Sequence, residues 1–131
     1  MKRKIKTLSE AALQTHVAKL LTAYGRQDVC WFACPNGEQR SAKTGQRLKQ
    51  QGVKAGAPDL CFIIDGQFIG LELKTERGII SSKQIQFQED IERAGGGYLV
   101  AYGLEHAISK LIAMEAFRPN IHINVKGLLN G

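Results

Sequence analysis

Apolar and polar positions along this chain recur with two different periods, and the changes of period divide it into elements. Behind Thr7 or Ser9, Leu13, Val17, Leu20 and Tyr24 follow Glu10 at three-four spacing, which predicts an amphipathic helix stopped by Gly25. Residues 29–34 (VCWFAC) read as a short apolar strand closed by Pro35, Asn36 and Gly37. Leu60–Ile64 (LCFII) is a continuous apolar run, the pattern of a strand buried on both faces. Asp65-Gly66 follows, the dipeptide that best suits a two-residue hairpin because both positions need positive φ, and residues 68–74 return as the partner strand.

Beyond the hairpin, Ser81 heads a helix reaching Ala94, with Gln84, Phe87, Ile91 and Ala94 on one stripe and three glycines at its end. Residues 98–102 (YLVAY) form a core strand, parallel to its predecessor if the intervening helix is a crossover. A last helix is predicted over residues 104–117, with Leu104, Ile108, Leu111, Ile112 and Glu115 spaced for one face. In the tail, Ile121, Ile123 and Val125 alternate with polar residues, as in an edge strand, a terminal arm or a strand donated to a second copy.

A two-residue turn at Asp65-Gly66 makes paired positions of the hairpin sum to 131, so the register can be written down. Phe62 faces Ile69, Leu60 faces Leu71, and Asp59 faces Glu72. Directly opposed residues share a face, with Cβ atoms about 4.5–5.5 Å apart. Side chains alternate along a strand, so Lys74 shares the face of Glu72 while Leu71 and Leu73 point into a core. Two carboxylates that close repel by about 3 kcal/mol at an effective dielectric of about 20. Either Lys74 bridges Asp59 and Glu72 as a structural ion cluster, or a hard divalent cation lies between them. A cation held by two carboxylates beside an ammonium is equipment for phosphodiester hydrolysis, since it polarises a phosphate and acidifies bound water.

Two further polar residues have double readings. Glu10 either closes a capping box with Thr7 or points along its helical stripe toward the carboxylates. Gln84 either closes a capping box with Ser81 or aims at the same cluster, two roles that compete for one side chain.

The 131 residues fit one domain with an ordinary soluble composition, 44% hydrophobic and 23% charged. No apolar run approaches a membrane span, and the basic MKRKIK start lacks the apolar stretch of a signal peptide, so the cytoplasm is expected. Cys30, Cys34 and Cys61 fall in apolar runs and read as buried free thiols, with no fourth ligand spaced for zinc. No phosphate loop, dinucleotide fingerprint or Ser/His/Asp set is present, so no small-molecule cofactor is expected. The net charge of +6 points to a polyanion. Between Gln39 and Ala57 no acidic residue occurs, while Arg40, Lys43, Arg47, Lys49 and Lys54 do, so this segment reads as a loop with a helical turn or two that follows a phosphate backbone.

The order of elements, with Pro58-Asp59 and then Glu72-Leu73-Lys74 after 12 residues, resembles the PD-(D/E)XK nuclease superfamily. The surrounding PNGEQR, LKQQGVKAGAPDL and LELKTERGIISSKQ resemble its VRR-NUC (virus-type replication-repair nuclease) branch over about residues 9–102. The resemblance implies an α/β, restriction-endonuclease-like αβββαβ core with a mixed sheet flanked by helices, here followed by a helix and a tail strand. It also implies a Mg²⁺- or Mn²⁺-dependent DNA endonuclease. Asp59, Glu72 and the main-chain carbonyl of Leu73 would be metal ligands, and Glu10 would complete the metal shell, through water. Lys74 would orient the attacking water and stabilise the transition state, and Gln84 would place the lysine or the water. The basic residues Arg40, Lys43, Arg47, Lys49 and Lys54 would track the DNA. Free-standing members of phage and bacterial type resemble homodimers acting on four-way (Holliday) junctions, for which the tail alternation is a candidate interface. The alternatives are a DNA-binding module that has lost catalysis and a restriction-type nuclease.

Overall fold

A computed structural model of the chain describes residues 7–35 and 42–124. Its elements are α1 (Glu10–Tyr24), β1 (Cys30–Ala33), α2 (Ala42–Gln50), β2 (Leu60–Ile64), β3 (Gln67–Lys74), α3 (Ser82–Arg93), β4 (Gly97–Tyr102) and α4 (Leu104–Ala113). The strands form one open mixed sheet in the order β1-β2-β3-β4, antiparallel except for the parallel pair β3–β4. The crossover through α3 makes that last pair parallel, as expected.

The hairpin register is the predicted one, Leu60 facing Leu71, Phe62 facing Ile69 and Ile64 facing Gln67. Its turn places Asp65 at φ 51° and Gly66 at φ 79°, the two left-handed positions a tight hairpin requires. Arg26 clamps that turn from outside, its guanidinium reaching Asp28 at 2.8 Å and Asp65 at 3.1 Å.

One face of the sheet carries the core. Leu60, Phe62, Ile64, Leu71, Leu73 and Ala101 pack against Leu13, Val17, Leu20 and Leu21 of α1 and Leu104, Ala107, Ile108 and Leu111 of α4. Burying these side chains is the main stabilising contribution, at about 1.5–3 kcal/mol for each large one. On the opposite face α3 packs on β4, and it buries none of its own residues. β2 is therefore not covered on both sides as its apolar run suggests: Ile63 is 45% exposed, and Phe32, diagonal to it on β1, is 48% exposed. The cysteine expectation is corrected for the same reason. All three are free thiols, but only Cys61 is buried, and Cys30 is exposed on the edge strand.

Three other expectations change. Within the basic segment, Ala42–Gln50 form a nine-residue helix, α2, rather than a loop with a turn or two. Helix α4 ends at Ala113, because Glu115 turns into the left-handed region at φ 59° and sends Ala116 and Phe117 back into the core. Phe117 then bridges to Gly25. The tail strand is not formed at residues 121–124, where Ile121 and Ile123 instead pack on the chain's own core; Val125 lies outside the described residues.

Candidate active site

The core-facing ladder of the hairpin ends at Leu60–Leu71, and the chain bends at Asp59. Pro58, buried, lies over Gly70, where a Cβ would come within 2.6 Å of its ring; only glycine leaves room for it. Past the ladder, the Leu73 amide would be left without a strand partner, and it donates instead to Asp59 Oδ2 at 2.8 Å. Asp59 is further fixed through its own carbonyl, which accepts from the Cys34 amide at 2.9 Å. A side chain has taken over the next rung of the sheet, and this brings the carboxylate to Glu72.

Glu72 is only 3% exposed. Its Oε1 accepts a 2.8 Å hydrogen bond from Gln84 Nε2, while Oε2 is buried with no partner among the described residues. Burial, followed by the charge of Asp59, pushes its carboxyl up to about 8, against the opposing pull of Lys74. Asp59 is also raised by burial, with the Leu73 amide opposing. Lys74, 9% exposed, closes the group, its Nζ 3.9 Å from Glu10 Oε1. Its main-chain carbonyl accepts from Gly103, tying the end of β3 to the start of α4.

Both double readings are decided by geometry. Helix α1 is capped by Ser9, whose hydroxyl accepts from the Ala12 amide at 3.1 Å. Glu10 is then the first helical residue, one position after the cap, so the box with Thr7 does not form. Gln84 holds both roles at once. Its Oε1 accepts from the Ser81 amide at 2.8 Å, completing a capping box, and its Nε2 donates to Glu72. The competition expected between them does not arise, because an amide side chain has separate acceptor and donor ends.

Glu10, Asp59, Glu72 and Gln84 open onto a cleft of about 850 Å³ whose other residues come mainly from α2, the turns after it and α3. Of the basic segment, Lys49 and Lys54 line this cleft, whereas Lys43 and Arg47 border a separate depression on α2, and Arg40 lies outside the described residues. Sequence reasoning missed Lys83, which lines the cleft from α3. It also missed Tyr98 and Gly56. The Tyr98 hydroxyl donates to the Gly56 carbonyl at 3.4 Å, and burial and then the Glu72 charge raise its pKa. The parallel register sets Tyr98 beside Gly70, on the carboxylate face, a position the hairpin arithmetic does not reach. Gly56, at φ 89°, lies so close to α3 that a Cβ would run into the Lys83 carbonyl.

Among the described residues no three His, Cys, Asp or Glu side chains form a ready metal cage. Two carboxylates, one with an orphaned buried oxygen, suit a hard cation that keeps water and takes further oxygens from a phosphate, as Mg²⁺ does. The residues present fit such an ion.

No protein-family model matches the chain, and no curated protein does. Solved structures do. One described as a VRR_NUC domain protein aligns with a TM-score of 0.63 at 23% identity, over 91% of this chain and all of that one. Another, described as a VRR_NUC domain, aligns with a TM-score of 0.52 at 22% identity, over 79% of this chain and 94% of the other. These likenesses show the fold: the chain folds as VRR_NUC domains do.

Proposed function

We propose that this chain is a divalent-metal-dependent DNA endonuclease that hydrolyses phosphodiester bonds. One observation carries the reading: Glu72 is buried beside Asp59 with one oxygen held by Gln84 and the other without a hydrogen-bond partner among the described residues. A buried acid whose ionisation costs free energy marks a candidate functional site, here one that a cation would use. Asp59, Glu72 and the Leu73 carbonyl would hold Mg²⁺ or Mn²⁺, with Glu10 reaching it through water. The Leu73 carbonyl qualifies because, in an extended strand, it faces the same edge as the amide that bonds Asp59. When bound, the ion polarises the phosphate and lowers the pKa of water. Lys74 orients the attacking water and offsets charge on the phosphate as the bond breaks. Gln84 holds Glu72 in place, and Lys43, Arg47, Lys49 and Lys54 carry the DNA backbone, with Arg40.

In its finer form the reading is a homodimer cutting branched DNA such as four-way junctions, since paired incisions need two sites related by symmetry. The VRR_NUC fold and the net charge of +6 support DNA as the partner.

The test compares wild type with Lys74→Ala on labelled junctions, flaps, duplex and single strands, in Mg²⁺, Mn²⁺ and EDTA. Metal-dependent cutting by wild type is expected to fall at least about 100-fold in the variant, with DNA binding retained. Binding without cutting in every metal would instead mark a DNA-binding module that has lost catalysis.

A further inference from the structure

The carboxylates occupy one part of the cleft, and another part of its wall is apolar. Phe87 lines it from α3, one helical turn beyond Gln84 and therefore on the same side of the helix. Leu48 and Val53 line it from α2 and the turn after it. Phe87 is half-buried and lies outside the hydrophobic core formed by the described residues, and Val53 is 42% exposed. Around this wall stand Lys49, Lys54 and Lys83, with Asp90 in the electrostatic reach of Lys54; none of the three lysines is in an ion pair among the described residues.

An open aromatic and aliphatic wall, ringed by cations and adjoining a carboxylate pair, is complementary to one kind of occupant. Phosphates need the cations, and a base needs the flat apolar surface. Bases within an intact duplex show only their edges in the grooves and have no free ring face to offer. A cleft of about 850 Å³ is also of small-ligand size, fitting a few nucleotides of one strand.

We infer that the chain acts beside an unpaired nucleotide, whose base stacks on Phe87 against Leu48 and Val53 while Lys49, Lys54 and Lys83 hold the flanking phosphates. This rests on the nuclease reading above and names the feature of the DNA that the cleft selects. A flap, a gap or a branch point with unpaired bases supplies such a nucleotide, and continuous duplex does not.

Wild type, Phe87→Leu and Val53→Ser are compared by fluorescence anisotropy in EDTA on two labelled DNAs. One is a continuous duplex and the other carries a short run of unpaired nucleotides at its centre. Phe87→Leu keeps apolar bulk and removes the aromatic face, while Val53→Ser alters a half-exposed side chain and keeps the test open if Phe87→Leu melts early. Wild type is expected to bind the interrupted DNA more tightly. Each variant loses about five- to tenfold on that DNA and little on the continuous duplex. Equal losses on both DNAs, or none on either, would overturn the inference. Adding Mg²⁺ or Mn²⁺ separates it from the nuclease reading. Binding preference with no cutting supports the base pocket and overturns the nuclease. Cutting spread through paired DNA, with no preference near the unpaired run, overturns the base pocket and leaves the nuclease intact.

Discussion

At the scale of single residues, Gln84 links the start of α3 to Glu72. Its amide oxygen caps the helix and its amide nitrogen satisfies one carboxylate oxygen, so removing it exposes two groups at once. Ser81→Ala breaks the cap alone and is expected to cost about 1 kcal/mol. Gln84→Ala also strands a second oxygen of a buried acid, adding about 1–3 kcal/mol. Urea denaturation of the two variants measures the difference, and equal losses would mean that the bond to Glu72 adds no stability. The spacing Ser81-x-x-Gln84 was fully legible, but a pattern counts positions, not the two ends of an amide. Glu10 shows the converse. Thr7-x-x-Glu10 has the letters of a capping box, yet Ser9 captures the helix start and leaves Glu10 free to face Lys74.

At the scale of elements, what local chemistry determines was readable and what packing determines was not. The hairpin register from Leu60 to Ile64 followed from one dipeptide, whereas the expected Asp59–Glu72 rung is absent from the ladder and Asp59 is instead held by its bond to the Leu73 amide. Whether Ile63 would be covered depended on where α3 came to rest, which no residue of β2 encodes. The early end of α4 turns on a glutamate at positive φ, where sequence offers no glycine as a sign. Gly56 belongs to the second class. Its backbone lies against the first turn of α3, the turn that carries Gln84. Gly52, at φ 95°, has open space around it. Alanine at Gly52 meets only backbone strain, about 1–2 kcal/mol. Alanine at Gly56 adds a clash with main chain, and about 1–3 kcal/mol more is expected. Chemical denaturation of the pair checks this; similar losses would mean that the loop and α3 move apart freely.

At the scale of the whole molecule, the site sets how stability depends on pH. The Glu72 carboxyl is raised from 4.5 to about 8 in the folded chain, by burial and then by Asp59, and Asp59 is raised as well. Between those two values the folded state holds protons that the unfolded state has released, so the slope of stability with pH is negative there. The contribution is fully present below about 4.5 and is lost as pH rises through about 8. Metal-free wild type should therefore lose thermal stability over this range relative to Glu72→Gln, which cannot ionise. A hard cation bound there would reverse the balance, because binding requires the ionised carboxylates and expels the proton from Glu72. Thermal scans with Mn²⁺ should show a larger stabilisation of wild type at pH 8 than at pH 6, and little in Glu72→Gln at either. A Glu72→Gln profile parallel to that of wild type, with the same response to Mn²⁺, would mean that the buried pair neither governs the pH dependence nor receives the ion. The cost of ionising the buried pair is part of the folding free energy, so its relief by a bound metal would be read as stability without any assay of cutting.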